Sequence, residues 1–142
     1  MRRPLLALFA VATFALFATA CARAGASSLA TAPPPKHVTI TIHYSHFNPE
    51  LITARSGQIV QVTLRNEDPI DHEWIVGTAE VHARHRTGTE PYHASVPTEV
   101  TIPASSTRVT TVYFDKPGDL QYICHLPGHE EYGMIGTLRI EG

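Results

Sequence analysis

The sequence predicts an all-β protein, a Greek-key β-sandwich or barrel of about eight short strands. Three observations carry this. Apolar and polar residues alternate with period two from Val38 onward, and turn-forming residues punctuate that pattern every several positions. No stretch shows a sustained 3.6-residue apolar stripe, so any helix has to be brief. Short strands separated by frequent turns are the pattern of sandwiches and small barrels.

In chain order, Val38, Ile40 and Ile42 alternate with Thr39 and Thr41, giving one buried and one solvated face. Phe47-Asn48-Pro49 interrupts that strand, and residues 51–54 are expected to resume it before a turn at Ser56-Gly57. Val60, Val62 and Leu64 form the next alternating run, closed by the turn formers Asn66-Glu67-Asp68-Pro69. Residues 73–76, with the single tryptophan Trp74, make a short strand. Residues 99–102, 108–114, 120–124 and 136–140 complete the set, with Lys116-Pro117-Gly118-Asp119 ordered as a type II turn requires. Between the strands lies one long polar excursion, residues 77–98, expected to be a solvated loop, since loops of that length are functional or flexible.

A chain of 142 residues is sized for one domain, and 43% apolar with 17% charged residues is an ordinary globular composition. The net charge of −2, with no basic face, gives no reason to expect nucleic-acid binding.

The N-terminus reads as an export leader: Arg2 and Arg3 precede an apolar run over residues 5–17. Ala18-Thr19-Ala20-Cys21 is similar to a bacterial lipobox, with Ala18 where leucine is usual. Residues 1–20 are therefore read as a lipoprotein leader, with Cys21 lipidated and tethering the protein to a membrane. Ordinary cleavage after Ala22-Arg23-Ala24 and retention of the apolar run as an anchor are the alternatives. Residues 21–36, small and proline-rich, read as a tether, and residues 37–142 as the folded domain. The location implied is periplasmic or cell-surface.

The chemistry concentrates in one C-terminal stretch. Cys124, His129 and Met134 are spaced C-x4-H-x4-M where a strand ends and a loop begins. A thiolate and a thioether beside an imidazole suit copper, which cycles between Cu+ and Cu2+. A thioether and one lone cysteine argue against a structural zinc site, which uses Cys and His in fours, although zinc could still occupy the site where metal availability decides. A fourth ligand has to come from an earlier strand, and His72 is the candidate.

With these residues together, the chain resembles the cupredoxins, the small blue-copper proteins, over about residues 38–142. The resemblance is carried by Tyr122-Ile123-Cys124-His125-Leu126-Pro127-Gly128-His129 with Gly133-Met134, by Asn66-Glu67-Asp68 leading into His72-Glu73-Trp74, and by Asn48-Pro49-Glu50 and Gly57. The Cys-to-His spacing is closer to auracyanin-like and rusticyanin-like members than to plastocyanin. The resemblance implies one copper ion in a type 1 site held by His72, Cys124, His129 and Met134. Two imidazoles and the thiolate would form a trigonal plane with a long axial Met contact. It also implies that the carbonyl of Asp71 could add a second weak axial contact. Glu73 stands where many members have asparagine, which leaves open whether the usual brace between the two ligand segments exists.

His125 is expected to project toward the surface. Cys-flanking histidines serve a three-copper cluster in multicopper oxidases, but this chain has Ile123 before the cysteine and no His-x-His pair. His82, His85 and His93 are either solvated loop residues or a second metal-capture site; His37, His43 and His46 read as surface residues. A docking patch is expected around His129 from Leu126, Pro127 and Ile135.

No catalytic set is expected, so the chain is read as a non-enzyme. The leading function is a monomeric, extracytoplasmic carrier of single electrons between redox protein partners. The alternative is copper handling (delivery, buffering or resistance) at the same site with the His-rich segment 78–98.

Overall fold

The computed structural model describes residues 32–88 and 96–142. The leader, Cys21, most of the expected tether and His93 lie outside these residues. Nine strands and one helix follow in order: β1 (Lys36–His43), β2 (His46–Asn48), β3 (Leu51–Arg55), β4 (Ile59–Asn66), β5 (His72–Gly77), α1 (Ala79–Arg86), β6 (Glu99–Ile102), β7 (Thr107–Tyr113), β8 (Gly118–Ile123) and β9 (Ile135–Glu141). Among the described residues no helix is long and apolar enough to cross a membrane.

The strands form two sheets, ordered β2-β1-β4-β7 and β3-β9-β8-β5-β6. Two pairings, β1 with β4 and β3 with β9, are parallel, and the others are antiparallel. The all-β expectation holds. The interruption at Phe47-Asn48-Pro49 does more than pause a strand, however. β3 does not resume β1: it joins the other sheet beside β9, so this segment carries the chain from one layer to the next. The ninth strand is β2, a three-residue partner folded back on β1.

The β1–β2 turn places Tyr44 and Ser45 at φ 51° and 56°. Two left-handed central residues give the type I′ geometry that matches strand twist. For residues other than glycine each costs about 1–2 kcal/mol, which has to be offset from elsewhere.

The core lies between the sheets. Ile40, Ile42, Val60, Val62, Leu64, Trp74, Ile102, Tyr122 and Leu138 are all essentially fully buried, each such aliphatic side chain contributing about 1.5–3 kcal/mol. Phe47 meets Tyr122 edge-on, with ring centroids 5.2 Å apart, and the Tyr122 hydroxyl donates to the Pro49 carbonyl at 2.7 Å. That bond ties β8 to the crossing segment. A Cβ at Gly136, the cross-strand partner of Tyr122, would collide with the tyrosine ring, so only glycine lets β9 pass beneath it.

The polar excursion is not wholly a solvated loop. Residues 79–86 form α1, and its buried side chains are histidines, His82 at 1% and His85 at 7% exposure. The helix returns along β5, with Val81 lying directly over Gly77.

Candidate metal centre

The site is assembled by the β4–β5 connection and the loop between β8 and β9. Asn66, buried at the end of β4, uses its side-chain amide nitrogen to donate to the carbonyls of Ile70, Ile102 and Pro103, at 2.8, 3.2 and 3.0 Å. Its side-chain oxygen accepts from the Asp68 N–H at 2.9 Å. The connection is thereby stitched to the end of β6, and Asp68 is turned inward. The Asp68 carboxylate accepts the backbone N–H groups of Tyr44 and Ser45 at 2.7 and 2.8 Å, which offsets the cost of the left-handed turn. It also accepts from Nε2 of His72 at 2.9 Å. Burial alone would raise the Asp68 pKa, but the bonds from Ser45, Tyr44 and His72 outweigh it and hold the carboxyl below its usual range.

The bond to Asp68 fixes the state of His72. A carboxylate only accepts, so Nε2 carries a proton and Nδ1 is the ring nitrogen left to meet a metal. That Nδ1 lies 3.2 Å from Nδ1 of His129, which in turn lies 3.2 Å from Sγ of Cys124. The ligand atoms of His72, Cys124 and His129 are all within 4.8 Å of one another. His72 and Cys124 are fully buried and His129 is half-buried. Lone pairs converging on one point, with the outer nitrogen of His72 held by a carboxylate, is the arrangement a metal ion completes.

The loop is closed on itself. Cys124 N–H donates to the Met134 carbonyl at 3.2 Å, and Met134 N–H donates to the His129 carbonyl at 3.0 Å. Met134, fully buried, is held beside both residues by its backbone. The Glu73 N–H donates to Cys124 Sγ at 3.3 Å, so a backbone amide braces the two candidate ligand segments. Asp71 uses its carboxylate to accept the Ala104 N–H at 2.8 Å. Burial pushes the Cys124 thiol up to about 11, against the lowering effect of the Glu73 and Leu126 amides. Burial, then the neighbouring His72, holds His129 below the usual histidine value. Without a metal, the site at neutral pH is a protonated thiol beside a neutral His129 ring.

Sequence reasoning missed Asp68 and Asn66, treating them as turn formers. The available signal was a carboxylate four residues before a candidate ligand histidine. His125 also departs from expectation. Its side chain is only 4% exposed and packs against α1, its ring stacked on His85 with centroids 5.5 Å apart. Consecutive residues therefore serve different compartments, Cys124 turning into the core and His125 toward the helix. Burial lowers the pKa of His82 and brings His125 down to about 4, keeping both rings neutral. Leu126, Pro127 and Ile135 line a groove of about 770 Å³ together with His125 and Arg86.

The chain matches the cupredoxin-like domain family over residues 6–138. It is 31% identical over 95 residues to the copper-resistant cuproprotein CopI of Rubrivivax gelatinosus, covering 65% of this chain and 58% of that protein. To the copper-resistant cuproprotein CopI of Pseudomonas aeruginosa it is 23% identical over 138 residues, covering 75% of this chain and 76% of the relative. The chain thus spans under two thirds of the Rubrivivax protein's length. Among solved structures, reduced auracyanin from Roseiflexus castenholzii superposes with a TM-score of 0.65 at 17% identity, covering 78% of this chain and 100% of that one.

Proposed function

The chain belongs to the cupredoxin-like domain family, and from that premise we propose that it is an exported cuproprotein serving copper tolerance, with one copper ion at a type 1 site of His72, Cys124, His129 and Met134. The observation that carries this reading is the convergence of the His72, Cys124 and His129 ligand atoms within 4.8 Å, with the His72 tautomer already set by Asp68. Copper held there supplies one-electron exchange between its two oxidation states. The chain's own residues do the rest. Asp68 orients one imidazole, the Glu73 amide stabilises the thiolate, and the closed loop fixes Cys124, His129 and Met134 relative to one another. Burial of His72, Cys124 and Met134 keeps water from the ligands. The relatives named copper-resistant cuproproteins support the tolerance role.

A second reading, a monomeric carrier of electrons between redox proteins, draws on the half-buried His129, whose N–H donates to the Leu126 carbonyl at 3.0 Å next to the exposed Pro127. Neither reading requires a catalytic residue. Both place the protein outside the cytoplasm, tethered through Cys21.

Copper-loaded protein is expected to show an intense visible thiolate-to-copper band that disappears in Cys124→Ser. A pale spectrum indifferent to that substitution would sink the site assignment. Deleting the gene should lower the copper concentration the cells survive. Unchanged tolerance with impaired electron flow would move the assignment to the carrier.

A further inference from the structure

We propose a second metal site, on the helix side of β8, in which Nδ1 of His82 and Nε2 of His125 bind one Cu(I) ion. It lies beyond the copper site above and uses none of that site's ligands.

The two nitrogens face each other at 2.9 Å, and the outer nitrogen of each ring determines what they present. Nε2 of His82 lies 3.3 Å from the Gln121 carbonyl oxygen, which can only accept, so the His82 proton sits there. Nδ1 of His125 lies 3.3 Å from Oε2 of Glu130, so a carboxylate faces the outer nitrogen of that ring. Glu130 is itself fixed by Arg86, whose Nε donates to both carboxylate oxygens at 2.9 and 3.0 Å. With both outer nitrogens turned to protein oxygens, Nδ1 of His82 and Nε2 of His125 are the two ring nitrogens left to share one ion. A proton bridges this contact in the metal-free protein, and a metal ion that displaces the proton would be held by both rings.

The same signature marks the first site. There Nδ1 of His72 meets Nδ1 of His129 at 3.2 Å while a carboxylate takes the outer N–H of His72. Metal-bound histidines characteristically donate their other ring N–H to a carboxylate or backbone carbonyl, and His125 with Glu130 and His82 with Gln121 supply one of each.

Two neutral imidazoles select the cation. Zinc takes four ligands in closed sites, and these two rings offer half that number. Cu(I), a closed-shell monovalent ion, is satisfied by two nitrogen donors. Metal–nitrogen bonds of about 2 Å require the rings to part from their present 2.9 Å spacing. Burial of His82 and of the His125 side chain favours a monovalent over a divalent charge. The groove lined by His125, Arg86 and Glu130 reaches one ring from solvent and gives the ion its entry.

The test is anaerobic titration of the metal-free full chain with Cu(I) in competition with a chromophoric Cu(I) chelator. The wild-type protein is expected to bind two equivalents, and His82→Gln one, with the visible band of the first site retained after oxidation. One equivalent in the wild type, or two still in His82→Gln, overturns the proposal. Because the band reports the first site separately, its loss in the wild type would count against that site alone. Should the variant not fold, long-range proton–nitrogen spectra of the wild type decide, since Cu(I) is diamagnetic. Resonances of His82 Nδ1 and His125 Nε2 should shift with the second equivalent while those of His37 and His46 stay fixed. Stationary His82 and His125 signals, or preferential uptake of Zn(II), would overturn it equally.

Discussion

Asp68 holds His72 by the one nitrogen that does not face the other candidate ligands, at 2.9 Å, and with the same carboxylate it holds the left-handed Tyr44-Ser45 turn. One side chain thus supports both the turn and a candidate ligand. Asp68→Ala leaves two backbone donors and an imidazole N–H without their acceptor, which should cost about 2–4 kcal/mol in the metal-free protein and lower copper affinity about 10–100-fold. Denaturant melts of the metal-free variant and competition for copper check the two effects separately. The pH dependence has a definite sign. Since the folded pKa of Asp68 lies below its ordinary value, its contribution is complete above the unfolded carboxylate pKa and is lost as pH falls through the folded one.

The buried Cys124 thiol, raised to about 11, has to lose its proton when a metal binds. Between about pH 7 and 9 the apparent copper affinity should therefore climb about tenfold per pH unit. Competition titrations across that range check this; an affinity flat with pH would show that the thiol does not ligate.

Met134 is buried in the closed loop, bonded through its backbone to Cys124 and His129. Met134→Leu preserves volume, so stability should change by less than about 1.5 kcal/mol. Copper should remain bound with a raised reduction potential, because a weak electron donor is lost. Voltammetry of the loaded variant is the measurement, and an unmoved potential would argue that Met134 is not axial.

Gly136 lies under the ring of Tyr122, whose hydroxyl is anchored to the Pro49 carbonyl. Gly136→Ala should displace that ring and destabilise the fold by about 1–3 kcal/mol. Tyr122→Phe in the same background should not relieve it, since the collision involves ring carbons as well as the hydroxyl. Thermal melts of the two variants provide the comparison.

The sandwich was legible because burial imposes a period of two. Val60, Val62 and Leu64, or Ile40 and Ile42, declare their face without any structure. The spacing of Cys124, His129 and Met134 pointed to a site for a similar reason, since a short loop must supply several donors at once. What the sequence hid has physical causes. α1 buries His82 and His85, so a hydropathy-based reading finds no apolar stripe and sees a polar loop. β3 carries the alternation expected of a continuation of β1, and alternation says nothing about which sheet a strand joins. Asp68 resembles a turn former because it is one; its bond to His72 is a tertiary fact. His125 was misjudged because the ring that buries it comes from a helix 43 residues away in sequence.

Cys124 and His125 follow β8 directly, so the register of that strand sets which of the two turns inward. In a strand, a slip of one residue exchanges the two faces. A single-residue deletion within β8 should bring an imidazole toward the apolar core and turn the thiol toward the helix, disabling both proposed sites at once. A two-residue change restores the facing and shifts only the depth. Length variation along this strand should therefore be tolerated in steps of two, if at all, so that parity would protect the proposed metal chemistry as much as the identity of the candidate ligands does.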